Sequence, residues 1–281
     1  MRIVAFSVVP LAYDVVSAWA AECGHEIALL VTTPGPASRR NTSYQRVINS
    51  AASGTDILVT TRLRKVALPL IQALEPDLIV SYTFPYRIPP EIIAVARHGA
   101  VNMHPTALPA YRGPNPLRGI YEGNPLLGAT LHWTAAEYDT GNILAQHTGP
   151  LPAVISPASI LAAWLPMISG ALAEGVTRAI AGDAGSPQDE SRSSYAARFT
   201  DEEHWITPFE TMHSFLCKCA AINFFSPSTY IHVGDDSYLI SDAEKLDDNT
   251  SDLPGRITAH THEGFALQLL DGRVLVRANN I

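Results

Sequence analysis

Cysteine and charged residues are scarce in this sequence of 281 residues. The three cysteines, Cys23, Cys217 and Cys219, form no C-x-x-C pair, which excludes a disulfide framework and favours a reducing, cytoplasmic location. Charged residues make up only 16% of the chain and hydrophobic residues 47%, a composition that excludes a disordered chain. The length is sufficient for one large globular domain or two modest ones.

Four common catalytic or cofactor-binding motifs are also missing. The sequence contains no G-x-x-x-x-G-K-[ST], G-x-G-x-x-G, G-x-S-x-G or H-E-x-x-H. Their absence removes sequence support for the common nucleotide-binding, serine hydrolase and zinc protease sites. We expect no metal, including at His260 and His262, which alternate along a β pattern and are read as solvated.

An excess of basic residues is missing as well. The chain has 19 Lys and Arg against 27 Asp and Glu, a net charge of −8. Residues 201–281 hold 5 basic and 13 acidic residues, and 5 − 13 = −8, so this part carries the whole excess. Because acidic surfaces such as Asp235-Asp236 and Asp247-Asp248 repel phosphate backbones, we expect no nucleic-acid partner.

One stretch is nearly devoid of charge. Residues 140–173 contain no Asp, Glu, Lys or Arg, and residues 154–173 are about long enough to cross a bilayer. Pro157 and Pro166 interrupt the stretch and no basic cluster flanks it. These features favour a helix buried on a sheet, and we expect no membrane partner.

Short apolar runs alternate with helical patterns through the first two thirds of the chain. This alternation predicts an α/β fold: a Rossmann-like, mainly parallel sheet with flanking helices. Pro89 and Pro90 predict the start of a helix over residues 91–97. The predicted strands, all read as parallel, cover residues 2–9, 26–31, 57–59, 77–81, 99–102 and 129–134.

A polar, serine-rich stretch predicts a domain boundary. We expect a larger domain over residues 1–182, a linker over 183–204 and a small, mostly β domain over 205–281. In the small domain, a helix is predicted over 209–221. Strands are predicted over 229–233, 256–259, 265–270 and 273–276, with Asp271-Gly272 as a type I′ hairpin turn.

Polar side chains follow two of the predicted strands. Asn102 and His104 are two residues apart, so both point to the same face if the strand continues. Asp139 follows the strand over 129–134. Ligands collect at the carboxyl ends of strands in open α/β sheets, which favours one polar pocket. The alternative is that Asn102 caps a loop and His104 is an ordinary loop residue.

The motifs Asn-x-His, Leu-Pro-x-Tyr-Arg-Gly and Asp-x-Gly-x-Ile-Leu-x-Gln occur in this order between residues 77 and 146. They resemble the folate-dependent formyltransferase family, although Thr106-Ala107 replaces the usual Ser-Leu. The resemblance implies that Asn102, His104 and Asp139 are catalytic and that the co-substrate is 10-formyltetrahydrofolate, without a metal. Amide and imidazole donors aimed at the formyl oxygen would stabilise the oxyanion that forms when an amine attacks.

The resemblance also implies where the ligands bind. Tyr82 and Phe84 are explained equally well as core residues or as contacts of the folate, and His132 is better explained as a hydrogen-bonded core histidine. Arg112 either positions a ligand or holds its loop in place. The substrate is expected at Tyr111, Arg112 and Gly113. The folate is expected against two segments, Ser81, Tyr82, Thr83 and Phe84 on one side and Ala136, Glu137 and Tyr138 on the other.

The acceptor is less well defined by the sequence. The leading interpretation is an amine or hydroxylamine of a small metabolite, such as an amino-sugar nucleotide or a hydroxyornithine-type amino acid. A methionyl-tRNA formyltransferase, a formyltetrahydrofolate hydrolase and a non-catalytic folate-binding protein are the alternatives. We expect acceptor specificity to lie in two loops, residues 34–46 and residues 114–118. The first loop contains Arg39, Arg40 and Arg46. The acidic domain is interpreted as a lid, part of the acceptor pocket or a surface for a homodimer.

Overall fold

A seven-stranded sheet forms the centre of one of two units in the computed structural model, which describes residues 1–34, 43–246 and 252–281. The strands follow the order β3-β2-β1-β4-β5-β6-β7 across the sheet. Their bounds are β1 Arg2–Phe6, β2 Glu26–Thr32, β3 Ile57–Val59, β4 Leu78–Tyr82, β5 Ala100–His104, β6 Leu126–Trp133 and β7 Ile143–Pro150.

The sheet is mainly parallel, which confirms the predicted α/β fold. β1 pairs in parallel with β2 and β4, and the pairs β2–β3 and β4–β5 are parallel too. The parallel direction predicted for residues 129–134 was wrong, because β6 is antiparallel to β5, with Asn102 opposite His132. A strand buried on both faces has the same apolar pattern in either direction. Only a four-residue helix lies between β5 and β6, too little for the usual crossover helix.

Seven α-helices accompany the sheets in the described residues. The predicted helix over 91–97 covers only Pro90–Ile93, because the Arg97 and His98 amides donate instead to the carbonyls of Pro76 and Asp77. A short π-helical turn, Leu63–Ala67, precedes α3. The bounds are α1 Pro10–Glu22, α2 Ser43–Ser50, α3 Leu68–Leu74, α4 Pro90–Ile93, α5 Arg118–Tyr121, α6 Pro157–Ile180 and α7 Met212–Ile222.

Helix α6 is, among the described residues, the one helix long and apolar enough to cross a membrane by length and composition. Buried side chains recur along it at a spacing of four, at Ile160, Trp164, Ile168, Leu172 and Val176, and Ala171 and Ala179 are buried as well. This spacing places them on one face of the helix. A Cβ on Gly175 would lie 2.6 Å from a methyl carbon of a β6 leucine, so the helix packs closely on the sheet.

The other unit contains a six-stranded sheet in the order β11-β12-β13-β10-β9-β8, which confirms the mostly β C-terminal region. This unit comprises residues 114–127, 149–165 and 195–281, and the first unit comprises the rest of the chain. The domain boundaries derived from the sequence remain a proposal. The strands are β8 Trp205–Ile206, β9 Thr229–Val233, β10 Asp236–Leu246, β11 Ile257–Thr261, β12 Gly264–Gln268 and β13 Arg273–Asn280.

The hairpin predicted between the last two strands is present, but its turn differs. The turn is closed by a hydrogen bond from the Leu269 amide to the Gly272 carbonyl, 2.8 Å, so Leu270 and Asp271 are its central residues. Neither Asp271 nor Gly272 has a positive φ, so the predicted type I′ turn was wrong. Tertiary bonds account for this, because the Asp271 carboxylate accepts from the Met212 amide at 2.6 Å.

The core of the first unit generates a stability prediction at Ile79, which is fully buried in β4. Ile79→Ala should lower the free energy of unfolding by about 2–5 kcal/mol, because it removes buried methyl groups and leaves a cavity. Leu70→Ala, at a site 40% exposed, is the matched control and should cost less. Urea denaturation measures both variants. Equal losses in the two would contradict this description of the core.

Candidate active site

The structure brings Asn102, His104 and Asp139 together, as the sequence predicted. The Asn102 side-chain amide donates to Asp139 Oδ1 at 3.3 Å, and His104 Nδ1 lies 3.6 Å from the same oxygen. The side chains of His104 and Asp139 are only 7% and 10% exposed. The three residues therefore form one buried polar cluster.

Asp139 reaches this cluster by a route that the sequence did not predict. Because β6 is antiparallel to β5, the carboxyl end of β6 lies at the amino end of β5, where the Thr134 amide donates to the Ala100 carbonyl. The loop after β6 must therefore fold back over β5. Asp139 adopts a left-handed φ of 57° in this loop, which is uncommon for a residue other than glycine.

Gly141 makes the return of the loop sterically feasible. A Cβ at this position would lie 1.7 Å from the Trp133 carbonyl oxygen, so no side chain fits. The Trp133 amide in turn donates to the Asn142 carbonyl at 3.0 Å. The glycine of the Asp-x-Gly motif therefore permits the close backbone approach on which the position of Asp139 depends.

The Asp139 carboxylate is ionised at neutral pH. Burial alone would raise its pKa, but His104, His132 and a hydrogen bond from the Gly113 amide together lower the pKa to about 2. The Gly113 amide lies 2.9 Å from Asp139 Oδ2. The buried negative charge is thus matched by donors on both of its oxygens.

His104 is buried beside this charge and is neutral at pH 7. Burial lowers the pKa of its imidazole below the usual value of 6.5, although the Asp139 charge opposes the shift. His104 Nε2 donates to the Tyr111 carbonyl at 2.8 Å, so the neutral ring carries its lone pair on Nδ1. Nδ1 faces Asp139. A proton taken up at Nδ1 would therefore be stabilised by the carboxylate.

His132 joins the cluster, although the sequence favoured a satisfied core histidine. The residue is 1% exposed, and Nδ1 donates to the Trp133 carbonyl at 2.8 Å. Nε2 therefore accepts from the Asn102 amide at 3.1 Å. His132 is buried and hydrogen-bonded as expected, but its partner is a candidate catalytic residue. No sequence signal indicated this contact, because it arises from the antiparallel register.

The three residues expected to bind substrate surround the cluster. Tyr111 and Gly113 contact His104 and Asp139 through their backbones, as described above. The Arg112 guanidinium, on a side chain 12% exposed, donates to Gln188 Oε1 at 3.1 and 2.7 Å and to the Glu190 carboxylate at 2.9 and 2.7 Å. These bonds fit the second alternative for Arg112, in which its side chain holds the loop in place. Substrate binding by this loop remains a prediction.

The two segments expected to hold the folate lie next to each other. Arg87 forms an ion pair with Glu137 at 2.6 Å, and the Tyr138 hydroxyl donates to the Pro85 carbonyl at 3.4 Å. Ser81 and Tyr82 are buried in β4, and Phe84 packs edge-on against Phe6 with ring centroids 5.1 Å apart. Tyr82 and Phe84 therefore have core contacts. Contacts of Ser81, Thr83 and Ala136 with a folate remain predictions.

The two loops expected to set acceptor specificity differ in how much of each the structure describes. Arg39 and Arg40 lie outside the described residues, as do Asp247 and Asp248. Arg118 is 9% exposed and forms an ion pair with Glu203. Its guanidinium also donates to the carbonyl of Ala197 at 3.2 Å. Arg118 thus holds local structure within its own unit.

Residues 1–34, 43–246 and 252–281 contain no group of three or more His, Cys, Asp or Glu side chains that could hold a metal ion. Two ring nitrogens face the Asp139 carboxylate: His104 Nδ1 lies 3.6 Å and His132 Nε2 lies 3.7 Å from Asp139 Oδ1.

The lowered pKa of His104 predicts that acidification destabilises the folded protein. Below pH 6.5 the unfolded chain binds a proton at this histidine more readily than the folded protein, so acidification lowers the free energy of unfolding. His104→Gln removes this contribution. Between pH 7.5 and 5.5, urea denaturation should show a larger loss of stability in the wild type than in the variant. Equal losses would mean that His104 titrates normally.

The chain is similar to known proteins in sequence. The family described as formyl transferase matches residues 5–162. A methionyl-tRNA formyltransferase of Moorella thermoacetica is 28% identical over 262 residues, covering 90% of this chain and 83% of the relative.

Two solved structures are similar in fold. HypX from Aquifex aeolicus in complex with tetrahydrofolic acid has a TM-score of 0.70 and 20% identity, over 98% of this chain. The chain spans 43% of the length of HypX. The N-formyltransferase from Helicobacter canadensis in complex with folinic acid and dTDP-3-aminofucose has a TM-score of 0.67 and 15% identity, over 99% of this chain and 100% of that one. Since the family match covers more than half of the sequence, the chain belongs to the formyl transferase family.

Proposed function

We propose that this formyltransferase transfers the formyl group of 10-formyltetrahydrofolate to an amine or hydroxylamine of a small metabolite. The observation that supports the proposal is the buried cluster, in which His104 Nδ1 lies 3.6 Å from Asp139 Oδ1 and the Asn102 side chain donates to the same oxygen at 3.3 Å. The folates in complex with HypX and with the Helicobacter canadensis enzyme support the choice of donor.

His104 is suited to move the proton that the reaction displaces. The amine nitrogen attacks the formyl carbon, which leaves negative charge on the formyl oxygen and positive charge on the attacking nitrogen. His104 Nδ1 can accept a proton from that nitrogen, and Asp139 stabilises the resulting imidazolium. Return of the proton to N10 of the folate lets the carbon–N10 bond break, which yields the formylated amine and tetrahydrofolate.

Asn102 is suited to stabilise the oxyanion, with one geometric condition. Its amide nitrogen carries two hydrogens, and these are donated to His132 Nε2 at 3.1 Å and Asp139 Oδ1 at 3.3 Å. Donation to a formyl oxygen therefore requires that one bond be given up. If the bond to Asp139 is the one given up, Asp139 keeps its bond from the Gly113 amide.

A transfer RNA acceptor is the second candidate, favoured by the similarity to the Moorella methionyl-tRNA formyltransferase. The charge of the C-terminal region argues against it. Residues 201–281 have five basic side chains, and in the described structure each has an interaction within the protein. The Arg277 guanidinium, for example, lies 2.9 Å from each of three carboxylates, those of Asp242, Glu244 and Glu263. This surface offers little free positive charge to a phosphate backbone.

A hydrolase, with water as the nucleophile, and a non-catalytic folate-binding protein are the remaining alternatives. Release of tetrahydrofolate distinguishes them from a transferase. A transferase releases it only with an amine acceptor, a hydrolase releases it without one, and a binding protein does not release it at all.

The cluster predicts the effect of three substitutions on turnover. Asn102→Ala should lower kcat by about 100-fold to 1000-fold, the usual effect of losing an oxyanion donor. His104→Ala should lower kcat by about 100-fold to 10,000-fold, the usual contribution of general acid–base catalysis. Asp139→Asn preserves the shape of the side chain but removes its charge, and should lower kcat as well. Tetrahydrofolate release measures turnover, and circular dichroism checks the fold. A kcat near the wild-type value in His104→Ala would refute the mechanism.

The acidic C-terminal region predicts which acceptor is used. Small amines and hydroxylamines, including amino-sugar nucleotides, should be formylated, while initiator methionyl-tRNA should be formylated far more slowly. Parallel assays with radiolabelled formyl donor at low and high salt compare the two classes. Formylation of the tRNA at the rate of the best small amine, with steep salt dependence, would identify tRNA as the acceptor.

A further inference from the structure

The segment of residues 186–194, named here the clasp, lies within the stretch that the sequence predicted to be a linker. It begins with a two-way backbone bridge to the start of β7, in which Ile143 and Ser186 exchange hydrogen bonds of 2.8 and 2.9 Å. We infer that the clasp positions His104 and Asp139 for catalysis, and that Gln188 and Ser194 are its two positioning residues. This inference rests on the proposed function.

Gln188 holds the loop that carries Asp139. Its side-chain nitrogen donates to the backbone carbonyls of Asp139 and Gly141, each at 2.8 Å. Asp139 has a left-handed φ, and a strained backbone of this kind persists only where the surrounding structure fixes it. The two bonds from Gln188 supply that restraint on both sides of Thr140.

Arg112 fixes the orientation of the Gln188 amide. The guanidinium has only donors, so the group it contacts at 3.1 and 2.7 Å must be the amide oxygen of Gln188. The amide nitrogen is thereby turned towards the Asp139 loop. Arg112 also donates to Glu190, so the guanidinium spans two residues of the clasp.

Ser194 holds the loop that orients His104. Its hydroxyl accepts from the Tyr111 amide at 2.9 Å, and its carbonyl accepts from the Arg112 amide at 2.9 Å. Tyr111 also has a left-handed φ, of 60°, and its carbonyl is the acceptor for His104 Nε2. The clasp therefore restrains both strained residues that set the two ends of the His104–Asp139 pair.

These contacts predict an effect on turnover rather than on ligand affinity. The clasp side chains bond to the backbones of the loops, and the side chains of His104 and Asp139 are set by those backbones. A displacement of about 1 Å at reacting groups can lower the rate by about 100-fold. Loss of the clasp should thus lower kcat strongly and change KM little.

The test compares clasp variants with matched controls in the same segment. Gln188→Glu keeps the shape and the oxygen near Arg112 but loses both donors, and Ser194→Ala loses the bond to Tyr111. The controls are Asp189→Ala and Ser191→Ala, because the bonds of these two side chains stay within residues 189–191: the side chains bond to each other at 2.6 Å, and Asp189 also accepts from the Ser191 amide at 3.1 Å. We expect about 100-fold lower kcat in Gln188→Glu, a smaller loss in Ser194→Ala and rates near wild type in both controls.

Hydrogen exchange of the Gly113 amide gives a readout that needs no activity. This amide donates to Asp139, so release of Asp139 should speed its exchange in Gln188→Glu but not in Asp189→Ala. Unchanged exchange and kcat in folded Gln188→Glu would overturn the clasp. Faster exchange in a protein whose wild type formylates no amine would support the clasp and overturn the proposed function alone.

Discussion

A buried, ionised carboxylate at Asp139 is the constraint on which the arrangement of the site depends. A charge removed from water must be hydrogen-bonded, and the Asn102 side chain and the Gly113 amide donate to the two oxygens of this carboxylate. These bonds tie the loop after β6, which carries Asp139, to β5 and to the loop after β5. The left-handed backbone of Asp139 and the absence of a side chain at Gly141 are consequences of the same placement.

The features that the sequence predicted are those encoded by local pattern. Apolar runs located the strands, and the spacing of Asn102 and His104 placed both side chains on one strand face. The direction of β6 could not be predicted, because burial on both faces gives one apolar pattern for either direction. The contact of His132 with Asn102 depends on that direction, and Gln188 lies 49 residues from Asp139, so neither had a local signal.

The C-terminal sheet shows a different limit of sequence interpretation. Composition identified its acidic character, but the eleven-residue strand β10 was not predicted, because its outward positions carry carboxylates such as Asp242 and Glu244. In the folded chain these carboxylates are gathered around Arg277. The net charge therefore predicted that this region has few unpaired basic side chains. Which carboxylates pair with Arg277 depends on the register of β10 and β13, which the sequence did not predict.

We propose that formyl transfer takes place at the cluster of Asn102, His104 and Asp139. A crystal structure of the protein with 5-formyltetrahydrofolate tests it most directly. We expect the formyl oxygen to lie about 2.7–3.2 Å from the side-chain nitrogen of Asn102, with Asp139 still bonded to the Gly113 amide. A folate bound with its formyl group away from all three side chains would show that the cluster is not the site of transfer.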